Sequence, residues 1–281
     1  MRIMNLTSSP LRYPGGKSCL TKHFSELIKI NRLKNMTYIE PFAGGAGAAL
    51  NLLFLEYVNS IWINDADYNI YCLWYSILNR TEEFIELILD ADINIDNWHK
   101  SKSVINNSKD YNIIDVGFST FFLNRCNHSG VISAGPIGGR KQEGRWKIDA
   151  RFNKNDLVKR VLKISYFKER IKVTNEDAFD LITELNGYNF LVYLDPPYYK
   201  KGKDLYLNFY TKSDHDRLAN YIKKHLRTNW ILSYDNVPEI IELYSDKRHI
   251  FFDINYSINK PKKGNEVIFY SDNLNIPSFS L

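Results

Sequence analysis

The chain has 281 residues, 25% of them charged and 44% hydrophobic, as in a globular protein with enough length for one large domain or two small ones. No apolar run reaches the ~18–20 residues of a membrane helix, and the opening MRIMNLTSSP lacks the apolar core of a secretory signal. The net charge is +5, yet residues 125–170 hold twelve Lys and Arg against four Asp and Glu, so that one stretch carries more than the whole excess.

A concentrated positive stretch points to a polyanion partner. Cys19, Cys72 and Cys126 are scattered and odd in number. They fit neither a disulfide framework nor a metal site, which predicts a reduced, cytoplasmic protein without a metal.

In chain order, LRYPGGKSCL first places a Pro14-Gly15-Gly16 turn and a cation, Lys17, beside a helical pattern over 18–30. A strand-like run over 37–40 leads into EPFAGGAGAAL, a glycine-rich turn opening a helix over 46–57. Glycines there permit positive φ and close ligand approach, and a helix N-terminus offers free N–H groups. The strand over 60–65 ends on Asp65, 21 residues after Gly44. At that spacing an acid accepts hydrogen bonds from ribose hydroxyls in nucleotide-binding sheets. The fingerprint G-x-G-x-x-G fails, because Leu50 stands where the last glycine belongs. An adenosine-type ligand without a pyrophosphate therefore fits better than a dinucleotide; a bare strand–helix turn stays open.

A helical pattern over 68–79 follows, and then the alternation breaks between 80 and 170. Helical patches over 81–90, 115–125 and 155–168 surround NRCNHSGVISAGPIGGRKQEGRWKIDARFNK. That run is too long for an ordinary connection and carries the charge excess, so an inserted domain is expected. Beyond it, strands over 171–174, 190–195 and 229–234 alternate with helices over 177–186, 213–226 and 237–244. Strands over 248–254 and 265–271 have no helix between them and read as a hairpin with a basic turn, Lys260 to Lys263. Alternating strands and helices predict a doubly wound α/β sheet.

The strand NFLVYL stops at Asp195-Pro196-Pro197-Tyr198. A proline pair cannot continue the ladder, so an acid is left at the carboxyl end of a buried parallel strand, where open α/β sheets bind ligands. A carboxylate beside a backbone carbonyl makes two acceptors, suited to an amino group with two N–H bonds. Tyr198 adds a ring on which a flat base can stack. An aspartate merely ending a strand before a turn is the alternative.

The motifs RYPGGK, EPFAGGAG, IND and DPPY, in this order and with a basic insert before the last, resemble those of the Dam-like DNA N6-adenine methyltransferases. The likeness spans essentially the whole chain. It implies a Rossmann-like S-adenosylmethionine-dependent sheet of seven strands from segments 1–67 and 165–281. It also implies a mainly helical target-recognition domain inserted at 68–164. S-adenosyl-L-methionine would be the cofactor, held by Tyr13, Lys17, Glu40, Phe42, Gly44, Gly45, Asp65, Asp177 and Asp195. Asp195, the Pro196 carbonyl and Tyr198 would present the target amine. Double-stranded DNA would be the partner, approached by Arg12, Arg125, His128, Ser129, Ser133, Arg140, Lys141, Arg145 and Lys147. A restriction endonuclease would be a functional rather than a physical partner, and the enzyme would act as a monomer.

Two departures bear on specificity. The glycine turn puts its next glycine at 47 rather than 46. Family members that read GATC carry a tyrosine and an arginine where this chain has His128 and Ser133, so the GATC target does not carry over. The chemistry needs no metal: two acceptors on the amine favour an sp³-like nitrogen, and alignment does the rest. An RNA adenine methyltransferase and a catalytically silent DNA-binding homologue remain alternatives, and an NAD-linked oxidoreductase is disfavoured by the incomplete glycine fingerprint.

Overall fold

The computed structural model describes residues 8–12, 16–185, 190–199, 210–256 and 262–279. Tyr13 and Lys260 lie outside them. Strands β1 (Thr37–Glu40), β2 (Ser60–Asn64), β3 (Ile171–Thr174), β4 (Phe190–Leu194) and β5 (Asn229–Asp235) pair in parallel. A hairpin of β6 (Arg248–Tyr256) and β7 (Lys262–Tyr270) completes a seven-stranded α/β sheet of order β3-β2-β1-β4-β5-β7-β6. β7 is antiparallel to β5, so the sheet is mixed. The hairpin runs further into the basic turn than the sequence suggested, since Lys262 already pairs with Tyr256.

Strict alternation splits the strands between two cores. Leu191, Tyr193, Ile231 and Ile268 face one cluster with α1 (Thr21–Ile30) and α2 (Gly47–Phe54). Val192, Leu194, Leu232 and Phe269 face the other, with α8 (Ala178–Glu184), α9 (Lys212–Lys224) and α10 (Pro238–Leu243). Burial on both faces is why these strands read as continuous apolar runs.

Between β2 and β3 stand α3 (Tyr68–Asn79), α4 (Thr81–Asp90), α5 (Ile95–Asn106), α6 (Ile113–Cys126) and α7 (Lys154–Tyr166). Their core is continuous with the sheet's: Ile70, Trp74, Phe121 and Val161 share a cluster with Ile61 and Ile63. The helices between β2 and β3 thus share one core with the sheet. No periodicity announced α5, because it buries little beyond Trp98. It is held instead by the Asn94 side-chain cap on Asn97 N–H and by Trp98 Nε1 donating to Asn127 Oδ1 at 2.7 Å. No helix among the described residues is long and apolar enough to cross a membrane.

β1 and β4 lie side by side, and the chain winds outward from them in opposite directions. A crevice therefore opens over their carboxyl ends, the place where such sheets bind ligands.

Candidate active site

Polar side chains tie the strand ends together at that crevice. Asn64 donates from Nδ2 to the carbonyls of Pro41 and Glu176, and its Oδ1 accepts from Thr174 Oγ1 and Glu176 N. The carboxyl ends of β1, β2 and β3 are thereby fixed to one another. Asp65 accepts from Gly44 N at 2.8 Å and Asp67 N at 2.9 Å, so the acid shapes the glycine turn itself. Gly44 has φ 45° and Ala46 φ 47°, both left-handed. Glu40 is buried and accepts from Ala49 N at 3.0 Å, joining β1 to the start of α2. Burial pushes the Asp65 carboxyl up to about 7 and the Glu40 carboxyl up to about 8.

A cavity of about 640 Å³ lies over these ends, within the range of small-molecule sites. Its walls bring together Lys17, Glu40, Phe42, Gly44, Gly45, Asp65, Asp177 and Asp195, residues from well-separated segments of the chain. Asp177 also caps α8, its Oδ1 accepting from Phe179 N and Asp180 N. Tyr210 stands edge-on to Phe42 with ring centroids 5.8 Å apart, and this aromatic pair forms an apolar part of the wall beside the acids. With Asp67 and Asp214 the described lining has six carboxyl groups and one cation. Such a wall favours a positively charged ligand and opposes a pyrophosphate.

At the rim, Lys17 Nζ lies 2.9 Å from both carboxylate oxygens of Asp195. Ser233 on β5 donates to Asp195 Oδ1 at 2.7 Å, and so Tyr193 OH donates in turn to Ser233 Oγ at 2.7 Å. Lys17 is brought here by a short turn, Lys17–Leu20, which packs so tightly on α2 that a side chain at Gly47 would meet Ser18 Cβ at 3.3 Å. Behind Lys17, Glu266 Oε2 lies 3.6 Å from its Nζ, and Glu266 Oε1 accepts from Tyr198 OH at 2.9 Å. Tyr198 is buried and does not line the cavity, whereas Pro197 does.

A family model described as "D12 class N6 adenine-specific DNA methyltransferase" matches residues 13–260. This chain belongs to that family. The type II methyltransferase M.CviBI of Paramecium bursaria Chlorella virus NC1A is 24% identical over 261 residues, 92% of this chain and 95% of the relative. Among solved structures, a candidate RNA methyltransferase from Pyrococcus horikoshii aligns at 11% identity over 92% of this chain and 85% of the other, with a TM-score of 0.43. A candidate class I S-adenosylmethionine-dependent methyltransferase from Listeria monocytogenes aligns at 9% identity over 95% of this chain and 66% of the other, with a TM-score of 0.35.

The methyl donor of this D12 methyltransferase is S-adenosylmethionine. The cavity suits it on two counts. Its acidic lining complements a sulfonium, and Asp65 sets a carboxyl group at the end of the second strand, the position where sheets of this kind take ribose hydroxyls.

A second cleft of about 530 Å³ opens on the inserted segment of the D12 enzyme, lined by Arg12, His128, Ser129, Arg145, Trp146 and Arg151 among others, with no acid on its described wall. Arg140, Lys141 and Lys147 are exposed on the same loop, where Lys147 Nζ donates to Gln142 O. Ser133, grouped with the DNA contacts from sequence, lines the first cavity instead.

Arg125 departs from its expected part. Its side chain is 9% exposed, and its guanidinium donates to the carbonyls of Arg151 and Pro10. Burial, with Arg12 nearby, lowers it to about 10. It is a bolt between the N-terminal segment and the helices that follow β2, with these donors committed to backbone carbonyls. Asn124 beside it does likewise, accepting from Arg12 N and donating to the carbonyls of Arg12 and Gly130.

Sequence reasoning missed Ser233, Tyr210, Glu266 and Trp146. A lone acid in the buried strand NEVIFYS was the one available sign of Glu266. Ser233 and Tyr210 carry no local signal, and Trp146 lies among basic residues in a segment without periodicity.

Proposed function

We infer that this D12 enzyme methylates N6 of adenine in duplex DNA and takes the target base out of the stack to do so. The observation that carries this reading is the Asp195 carboxylate, clamped by Lys17 and Ser233 at the mouth of an acidic cavity. When bound, S-adenosylmethionine supplies an activated methyl group on sulfur. Asp195 and the Pro196 carbonyl accept hydrogen bonds from the two N–H groups of the adenine amine, which turns the nitrogen lone pair out of conjugation; one N–H is kept, and the other proton leaves the nitrogen after it has gained the methyl group. Lys17 and Ser233 fix the rotamer of Asp195, so positioning is done before the substrate arrives. Phe42 and Tyr210 offer an apolar wall for a flat ring, and Asp65 and Asp177 offer acceptors for ribose and adenine groups of the cofactor.

An exocyclic amine inside a duplex is out of reach, and extruding its base costs a few kcal/mol. The basic cleft around Arg12, His128 and Arg145 supports a role in holding the strands, and His128, exposed at its edge, is the wedge of this reading. Duplex DNA as substrate carries a cytoplasmic setting with it, and the likeness to a type II methyltransferase suggests protection from an endonuclease as the role. Action as a monomer is part of the same reading.

The test is incubation of duplex DNA and of RNA with methyl-labelled cofactor, followed by digestion to nucleosides. Label on N6-methyldeoxyadenosine is expected. Label on RNA adenosine alone, or on no polymer, refutes the assignment.

A further inference from the structure

Glu266 sits in the middle of β7, 1% exposed, with Val267, Ile268 and Phe269 following it into the core. In the sheet it pairs with Asp235 of β5 and Phe252 of β6. Nothing in a buried strand asks for an acid there, and a buried carboxylate is costly unless a cation and hydrogen-bond donors meet it. Both are present. Lys17 Nζ is 3.6 Å from Oε2, and Tyr198 OH donates to Oε1 at 2.9 Å. Lys17 itself is only 5% exposed, whereas Asp195, on its other side, is 24% exposed at the cavity.

We propose that Glu266 is a positioning residue for methyl transfer, which acts through Lys17 to keep the Asp195 end of the cavity attractive to a sulfonium ligand. The reasoning concerns charge. Lys17 and Asp195 alone form a neutral pair, so the lysine that orients Asp195 would also cancel its attraction for a cation. Glu266 behind the lysine offsets that cancellation, and the trio carries a single negative charge. It also anchors Tyr198 and thereby the turn that bears the Pro196 carbonyl. Glu266 does not line the cavity, so it needs no contact with ligand. The inference rests on the reading that Asp195 faces the methyl donor.

The charge has a specific signature. S-adenosylmethionine is a sulfonium and S-adenosylhomocysteine a neutral thioether of nearly the same shape. A merely structural role for Glu266 would change the affinity for both alike, whereas a role in charge changes their ratio. Glu266→Gln keeps the volume and the acceptor for Tyr198 OH and removes only the charge. In the full chain, calorimetric titration is expected to show S-adenosylmethionine binding weakened about tenfold, with S-adenosylhomocysteine binding within about twofold of the parent.

The double variant Lys17→Met/Glu266→Gln leaves Asp195 as the one charge of the trio. It should return the preference for the sulfonium to within about threefold of the parent. Should Glu266→Gln fail to fold, the double variant carries the test alone, and a large loss of preference there overturns the proposal. Equal weakening of both ligands in Glu266→Gln, or no weakening, overturns it as well. These titrations contain no nucleic acid, so a parent protein that methylates no adenine in duplex DNA sinks the proposed function separately.

Discussion

Lys17 and Asp195 meet in a two-pronged ion pair, Nζ lying 2.9 Å from each carboxylate oxygen although 178 residues separate them in the chain. On the proposed function, the target amine would therefore meet an acceptor that is already oriented. Asp195→Asn keeps the shape but replaces one acceptor oxygen with an N–H donor facing the amine. Methyl transfer should fall at least ~10²-fold, as when a single well-placed polar group is removed from a site. Duplex affinity, measured by fluorescence anisotropy, should stay near that of the parent, because the basic cleft is untouched. Turnover close to the parent would remove Asp195 from the chemistry.

The pH dependence follows from two desolvated acids: Glu40, which is buried, and Asp65, which is half-buried at the cavity. In the unfolded chain Asp and Glu titrate near ~3.9 and ~4.3, whereas burial places Asp65 at about 7 and Glu40 at about 8 in the fold. Folding thus takes up protons between these values, and the stability it confers is complete below about pH 4. That share is lost as pH rises, through about 7 for Asp65 and about 8 for Glu40. The melting temperature of the ligand-free protein should therefore fall between about pH 5 and 8, and Asp65→Asn should flatten the part below about 7. S-adenosylmethionine affinity should rise over the same window, since the ionised Asp65 is the better acceptor for ribose hydroxyls. A flat melting profile in the parent would contradict the burial of these groups.

Gly130 is the joint between the N-terminal segment and the inserted helices. Its φ is +78°, and a Cβ there would lie 2.0 Å from the carbonyl oxygen of Arg12. Gly130→Ala combines left-handed strain of about 1–2 kcal/mol with a backbone clash that neither segment can relieve cheaply. A drop of several degrees in melting temperature is expected, along with weaker duplex binding, because Arg12 is displaced from the cleft. Thermal melts and anisotropy check both effects.

Much of this architecture was readable from local signals. Apolar runs closed by Gly, Pro or Asp marked the strands, and β3 falls on the residues expected. The glycine turn and DPPY carry their chemistry in contiguous residues, and both emerge at carboxyl ends of strands, where sheet topology requires a site. What stayed hidden depends on residues far apart in sequence. Arg125 looks like a surface cation in a basic stretch, yet carbonyls of Pro10 and Arg151 take up its donors. Ser233 matters only because β5 lies beside β4. Tyr198 illustrates the limit within a motif: nothing in DPPY shows that a buried acid on β7 accepts from its hydroxyl.

The glycine turn offers a stabilising change. Ala46 adopts φ 47°, ψ 32° at the N-cap of α2, where an L side chain is disfavoured by roughly 1–2 kcal/mol and glycine is not. Ala46→Gly should raise stability by up to about 1 kcal/mol, since greater freedom of glycine in the unfolded chain offsets part of the gain. Denaturant titration measures this, and destabilisation would mean that packing of the Ala46 methyl group outweighs the backbone strain.

The basic cleft predicts how binding responds to salt. Arg145 lies over the Trp146 ring at 5.4 Å, and that indole is 63% exposed, an unusual outlay for so large an apolar group. If the cleft faces the phosphate backbone, duplex affinity falls linearly in log–log form with salt, with a slope of ~0.9 for every phosphate that a side chain neutralises. Arg145→Ala should make the slope shallower by about the share of one phosphate and weaken all sequences alike. Trp146→Ala should leave the slope unchanged while weakening binding, because a stacked or wedged indole contributes without releasing counterions. An Arg145→Ala slope equal to that of the parent would place the duplex elsewhere on the molecule.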